Sequence, residues 1–144
     1  MRFKKILVPY DATPSSEKAF KKILPIIEKH CSKIILLTCV RDRATFGFFQ
    51  TKSDKKSLEQ EKKRAERFQN MAIKEAEKFE LSITSKIVKS DLESESIIDY
   101  AKSEKVDLIV MSKTKLTTNA EKMYYNSTVE AVFKNAPCPF LYVP

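Results

Sequence analysis

Two groups of residues in this chain are of types suited to binding a polar or anionic ligand. Asp11 follows an apolar run that ends at Pro9, and its carboxylate can accept hydrogen bonds from hydroxyl groups. Asn126, Ser127 and Thr128 follow a polar stretch and have the short side chains that cap helix starts. Backbone N–H groups at a helix start attract anions. The pattern predicts ligand binding.

The elements that must position these groups are strands and helices in alternation. Residues 107–111 form a short apolar run, which is typical of a strand buried on both faces. A polar loop over residues 112–125 leads to a helix expected to start at Asn126. That helix must end before Pro137, because proline cannot continue a helix. Residues 140–143 form a last short strand.

The earlier part of the chain shows the same alternation. Strands are expected at residues 3–10, 34–40 and 81–88, the last with the alternating pattern of an edge strand. Helices are expected from Thr13 and Pro14, over residues 54–79, and before residue 106. Five strands alternating with four helices indicate a single α/β domain over residues 1–144. Residues 41–53, with three phenylalanines, show no clear pattern.

Several segments resemble the universal stress protein family in the order expected. Residues 5–11, KILVPYD, resemble its opening strand, and residues 107–111, DLIVM, resemble a later one. Asn126-Ser127 and residues 136–139, APCP, match the landmarks that follow. The resemblance implies a Rossmann-like, open parallel sheet of five strands in the order 3-2-1-4-5, with helices on both faces.

The resemblance also implies where a nucleotide would bind. Asp11 would accept a hydrogen bond from a ribose hydroxyl or the base, and the backbone around Val40 and Met111 would flank an adenine. The N–H groups of residues 126–128 would face the phosphates. The nucleotide-site residues on this basis are Pro9, Asp11, Val40, Met111, Ser112, Lys115, Asn126, Ser127 and Thr128.

The glycines of ATP-binding family members are absent from this chain. Ser112, Lys115 and Asn126 stand at their positions, and the loop is one residue longer. Glycine lets a backbone approach a phosphate and adopt a positive φ without a Cβ clash. Lys115 is the most disruptive replacement sterically, although Lys113 and Lys122 add positive charge. Weak or no ATP binding is therefore expected.

Composition and charge exclude several other functions. The 27 Lys and Arg residues exceed the 19 Asp and Glu residues, giving a net charge of +8. Between residues 52 and 80 both signs are mixed, as on a solvated helix face. No zinc finger or helix-turn-helix is present, so specific nucleic-acid recognition is not expected. No apolar run approaches the ~20 residues of a membrane span, and no signal peptide is evident. We expect a cytoplasmic protein without membrane contact.

Catalytic and metal-binding sets are not evident in the sequence. The chain has one histidine and three cysteines, without the spacing of a zinc site. No Ser-His-Asp or Cys-His set can be assembled, and no acidic pair is placed to hold magnesium. An enzyme is therefore not expected, and no cofactor is expected except possible ATP.

Two functions are compatible with this sequence. The favoured one is a non-enzymatic, dimeric regulatory module of stress response with weak or no ATP binding, in which Asp11 and Ser127 serve as helix caps. The alternative is an ATP or adenine-nucleotide switch that uses Asp11 and residues 112–128. The family resemblance implies a homodimer through the last strand, where unpaired backbone groups at a sheet edge need a partner. Its residues are Phe140, Leu141, Tyr142 and Val143.

Overall fold

The described residues form five strands and four helices in alternation, as predicted. A computed structural model describes residues 3–11, 14–30, 33–40, 52–112 and 118–144. Its elements are β1 (Ile6–Pro9), α1 (Pro14–Ile27), β2 (Lys33–Val40), α2 (Lys52–Glu77), β3 (Ser82–Lys89), α3 (Glu93–Ser103), β4 (Leu108–Ser112), α4 (Asn119–Asn135) and β5 (Phe140–Val143). Most boundaries lie close to those predicted. The start of α4 does not. Thr13 and most of the phenylalanine-rich segment lie outside the described residues.

The five strands form one parallel sheet in the order β3-β2-β1-β4-β5. This is the order that the family resemblance implied, and the prediction is confirmed. β1 pairs with β2 on one side and with β4 on the other. The sheet therefore grows from β1 in one direction through β2 and β3, and then in the opposite direction through β4 and β5. The switch point lies between β1 and β4. In open α/β sheets, ligands bind outside the carboxyl ends of the strands at such a switch point.

Helices cover both faces of the sheet because successive strand residues point to opposite sides. Ile6 and Val8 face α1 and α2, whereas Leu7 faces α3 and α4. The helix residues buried on the first face are Phe20, Ile23, Leu24, Ile27, Leu58, Ala65, Ala72 and Ala76, and those on the second face are Ile97, Ala101 and Val132. The predicted two-sided arrangement is confirmed.

Helix α2 is held to the sheet by a buried glutamine. Gln69 is 2% exposed, and its Nε2 donates hydrogen bonds to Thr38 Oγ1 at 2.9 Å and to the Lys86 carbonyl oxygen at 3.1 Å. A buried amide needs such partners, since leaving it unsatisfied costs about 1–3 kcal/mol. Gln69 thereby ties α2 to β2 and β3 and helps to fix which face of the helix points to solvent.

Asp107 sets β1 beside β4 at the end of the sheet opposite the switch-point opening. Its carboxylate accepts hydrogen bonds from the backbone N–H groups of Lys4 at 2.7 Å and Lys5 at 2.8 Å. The Asp107 N–H donates in turn to the Lys5 carbonyl oxygen at 3.0 Å. These bonds fix the starts of the two strands whose carboxyl ends form the candidate site.

The end of α3 uses a lysine where glycine is usual. Lys105 has φ 53°, its N–H bonds the Lys102 carbonyl at 3.2 Å, and the Val106 N–H bonds the Ala101 carbonyl at 3.0 Å. This pair of bonds is a Schellman motif, in which a left-handed residue ends the helix. The single glycine of the chain, Gly47, is elsewhere, so Lys105 bears the cost of a Cβ in the left-handed region.

The two edges of the sheet differ in chemistry. β3 exposes polar and charged side chains at Ser82, Thr84, Ser85, Lys86 and Lys89. At the other edge, Leu141 and Tyr142 of β5 are 36% and 40% exposed. Beside them, Phe133 of α4 is 64% exposed and packs edge-on against Phe140 with ring centroids 5.8 Å apart. One edge is thus polar and the other is partly apolar.

Candidate functional site

A small cavity lies at the switch point, where β1 and β4 end. Strand ends line its floor, and side chains from α1, α3 and α4 close its sides. The lining residues are Val8, Pro9, Tyr10, Asp11, Ser16, Phe20, Ile23, Glu93, Met111, Ser112 and Tyr125. Its volume is about 20 Å³, which is room for about one water molecule. The described residues therefore enclose a nearly filled crevice.

Four of the residues predicted for a nucleotide site come together at this cavity. Pro9 and Asp11 reach it from the end of β1, and Met111 and Ser112 reach it from the end of β4. Val40, at the end of β2, is buried in the core on the α1 and α2 side and does not line the cavity. Lys115 lies outside the described residues, as does Lys113.

The predicted helix start at Asn126 is wrong. Helix α4 begins seven residues earlier, at Asn119, and its first turn includes a bond from the Lys122 N–H to the Thr118 carbonyl at 3.1 Å. Residues 126–128 therefore lie inside the helix, where each N–H bonds the carbonyl four residues before it. Thr128 Oγ1 also bonds backward, to the Tyr124 carbonyl at 3.1 Å. In this conformation these N–H groups do not face a phosphate.

The sequence between residues 119 and 125 explains this error. It reads NAEKMYY, and Ala, Glu, Lys and Met all favour the helix interior. Nothing in it breaks a helix, so helical structure extends back through residues predicted to form a loop. Asn126 and Ser127 are exposed, where short polar side chains are tolerated within a helix. The capping residue types alone could not distinguish a helix start from an exposed interior turn.

Tyr125 is a site residue that the sequence pattern missed. Its hydroxyl donates a hydrogen bond to the backbone carbonyl oxygen of Ser112, the last residue of β4. The helical register of α4 brings the ring to the cavity, so the contact depends on the early start of the helix. The bond provides the Ser112 carbonyl with a partner and places an aromatic side chain at the end of β4.

Tyr10 gives the cavity a buried hydroxyl. Burial raises the pKa of Tyr10 to about 12, a hydrogen bond with Ser16 opposes that change, and the charges of Glu17 and Asp11 add to it. Its hydroxyl also lies 3.3 Å from the Phe68 carbonyl oxygen on α2, to which it donates. Tyr10 therefore stays neutral through the physiological pH range and packs within the core.

Two acidic residues are among the described residues that line the cavity. Burial raises the pKa of the nearby Cys39 thiol to about 12, with a further contribution from the charge of Glu93. Asp11 and Glu93 both line the cavity, whereas none of its lining residues in the described part of the chain is Lys or Arg. A phosphate placed among these groups would meet like charges, which disfavour it.

Neither a metal site nor a membrane-spanning helix is found among the described residues. Those residues contain no group of three or more His, Cys, Asp or Glu side chains arranged to hold a metal ion. Within the same ranges, no helix combines the length and the apolar character needed to cross a bilayer.

A parallel sheet of this order, with a cavity at its switch point, defines a Rossmann-like α/β protein. The universal stress protein family matches residues 2–144. The chain belongs to this family, as its sequence landmarks indicated.

Individual relatives agree with this assignment. Universal stress protein MJ0531 of Methanocaldococcus jannaschii is 28% identical over 141 residues, which cover 98% of this chain and 82% of the relative. The structure of UspA from Lactobacillus plantarum matches with a TM-score of 0.75 and 24% identity, covering 100% of this chain and 99% of that one.

Some structural neighbours contain adenine nucleotides. A universal stress family protein of Arabidopsis thaliana with AMP bound matches with a TM-score of 0.68 and 16% identity, covering 97% of this chain and 90% of that one. Other matching universal stress proteins are in complex with cAMP, at a TM-score of 0.68, and with dAMP, at 0.66. At these identities the likeness concerns the fold.

Proposed function

We propose that this protein is a non-enzymatic regulatory module of stress response that acts as a homodimer and binds adenine nucleotides weakly or not at all. The observation that carries the proposal is the position of residues 126–128 inside α4. A phosphate site at a helix N-terminus needs N–H groups without intrahelical partners. Here the helix itself takes up those donors.

Charge and space at the cavity support the same proposal. Asp11 and Glu93 present carboxylates where an anionic ligand would enter, and about 20 Å³ of space holds a water molecule rather than a purine. Tyr125 further occupies the end of β4 through its bond to Ser112. Nucleotide binding would require both helix unwinding and displacement of this ring.

Titration of purified protein with ATP tests this part of the proposal. We expect little or no heat at low salt and at moderate salt, and no nucleotide released when the purified protein is denatured and its supernatant is chromatographed. Binding through lysine side chains would weaken as salt rises, whereas backbone donors at short range would be less affected. Tight, salt-insensitive ATP binding would contradict the proposal.

An adenine-nucleotide switch is the second candidate function. Its support is that universal stress proteins of the same fold are bound to AMP, cAMP or dAMP, and that Asp11, Met111 and Ser112 lie at the switch-point cavity. Asp11→Ala distinguishes the two functions. If the protein is a nucleotide switch, the Asp11→Ala variant should lose its affinity for AMP while its melting temperature stays nearly unchanged. If Asp11 is instead a cap, its removal lowers the unfolding free energy by about 1 kcal/mol.

The homodimer in this proposal pairs two copies through β5. Leu141 and Tyr142 are partly exposed at that edge, and an unprotected edge strand is a template for pairing. Two-fold pairing of the same strand satisfies the unpaired groups of both copies. In sedimentation, Leu141→Lys should shift the protein toward monomer, whereas Ser85→Lys at the opposite edge should not. A wild-type monomer at micromolar concentration would refute the dimer.

A further inference from the structure

Helix α2 carries a continuous row of cations on its solvent face. Lys56, Lys63, Arg67 and Lys74 are all exposed, and at 3.6 residues per turn they fall within about 40° of one another around the helix axis. We call these four residues the α2 ridge. At a rise of 1.5 Å per residue it extends over about 27 Å. The buried side of the same helix carries Gln69, which keeps the ridge turned outward.

The ridge cations are not held in salt bridges within the described part of the chain. The Arg67 guanidinium lies 6.0 Å from the centroid of the Phe68 ring, a contact that restrains it while leaving its charge unpaired. Lys63, Arg67 and Lys74 line a shallow groove of about 430 Å³, which Glu66, Asn70 and Met71 also border. The helix therefore presents a row of cations and an amide donor in one line, with Glu66 beside them.

Three exposed acidic residues of α2 lie to one side of this row, and Glu61 and Glu75 lie on the other side at about 100–140° from its centre. Glu59, Glu66 and Glu77 are exposed and fall about 60–80° from the centre of the ridge around the axis. Mixed charges in the linear sequence are thus separated in the folded helix into a cationic row and an acidic flank. The surface attracts a narrow anion that follows the row and repels a broad one that also covers the flank.

We propose that the α2 ridge binds the phosphate backbone of duplex nucleic acid without reading its sequence. Duplex DNA carries one negative charge per about 1.7 Å of its axis, so each cation along the ridge can meet a phosphate. The ridge residues are four cations without an aromatic ring, and therefore offer no platform on which unstacked bases of a single strand would stack. Contacts to phosphate alone position a protein without specifying sequence.

An anionic membrane fits the same surface less well. A helix that binds at a bilayer surface inserts its apolar face between the lipid headgroups, but the apolar face of α2 is buried against the sheet at Leu58, Ala65 and Ala72. A flat bilayer would also bring the acidic flank against lipid phosphates. Among the described residues of α2, only Met71 is a large apolar side chain that is exposed, at 44%. The helix therefore offers a bilayer little apolar surface.

The test measures the anisotropy of a labelled, random-sequence DNA duplex titrated with full-length protein at several salt concentrations. Four phosphate contacts predict that log K falls with log salt with a slope of about −3.6, and affinity falls ~100-fold between 50 and 200 mM salt. The quadruple variant K56Q/K63Q/R67Q/K74Q should lose at least tenfold in affinity at low salt, with a slope close to zero. Circular dichroism confirms that it is folded.

A matched variant separates the ridge from general charge attraction. K18Q/K22Q/K29Q/K102Q also removes four positive charges, from exposed positions on α1, the turn after it, and α3. We expect it to keep most of the affinity and the salt slope, as should K56R/K63R/K74R. Equal losses in the ridge variant and the matched variant would overturn the proposal. So would binding to phosphatidylserine vesicles with none to the duplex, or no duplex binding at low salt.

Discussion

The hydroxyl of Tyr125 donates a hydrogen bond to the backbone carbonyl oxygen of Ser112, joining the second turn of α4 to the end of β4. This contact closes the switch-point cavity from the α4 side. Because it depends on α4 starting at Asn119, it also reports whether the first turns of that helix are formed. Removing this hydrogen bond therefore tests directly whether Tyr125 closes the cavity.

Replacing Tyr125 with Phe should lower the unfolding free energy by about 1 kcal/mol, because the Ser112 carbonyl loses its hydroxyl donor while the ring remains. Urea denaturation measures the change. Tyr100→Phe is the control, since Tyr100 lies on α3 away from β5 and its hydroxyl has no hydrogen bond within the described residues. An effect of equal size in both variants would contradict the role assigned to the Tyr125 hydroxyl.

Asn126→Ala distinguishes a helix interior from a helix start by the sign of its effect. At an exposed interior position, alanine is the better helix former, so stability should rise by about 0.5 kcal/mol. At an N-cap the same substitution would cost about 1 kcal/mol. Thr118→Ala provides the comparison, because Thr118 directly precedes α4, and replacing a threonine by alanine at an N-cap should cost about 1 kcal/mol. Thermal melts of both variants show which residue begins the helix.

Lys105→Gly should stabilise the protein by about 0.5–1 kcal/mol. Lys105 has a positive φ, which costs a residue with a Cβ about 1–2 kcal/mol, partly offset by the greater freedom of glycine in the unfolded chain. Lys102→Gly, inside the last turn of the same helix, should destabilise by about 1 kcal/mol. Chemical denaturation that gave the two variants the same sign would refute the Schellman ending.

Stability should fall in alkali through Cys39. Its thiol pKa is raised by burial from 9.0 to about 12, so the folded state retains a proton that the unfolded state loses above pH 9. The stability that the protonated thiol contributes is fully present below pH 9. It declines as pH rises toward 12, at up to about 1.4 kcal/mol per pH unit. Urea denaturation from pH 8 to 10 measures the slope, and Cys39→Ala should reduce it. An unchanged slope in that variant would contradict the assignment.

Strands were predictable from the sequence because apolar runs such as residues 107–111 have few alternatives to burial between two layers of helices. The start of α4 was not, since capping residue types also occur on exposed helical turns. Tyr125 escaped notice because its bond to Ser112 depends on the register of the whole helix. The α2 ridge is hidden in the linear sequence, where Lys63 and Glu66 are close neighbours, and emerges when the helix places them on different stripes.

The contrast between the two sheet edges determines how far association can proceed. Lys86 and Lys89 stand exposed on β3, and edge lysines oppose the addition of a further strand. If copies pair through Leu141 and Tyr142 of β5, the outer edges of the pair are both β3. Such an assembly closes at two copies, because neither remaining edge invites a third, and the parallel sheet is protected from growth into a fibre.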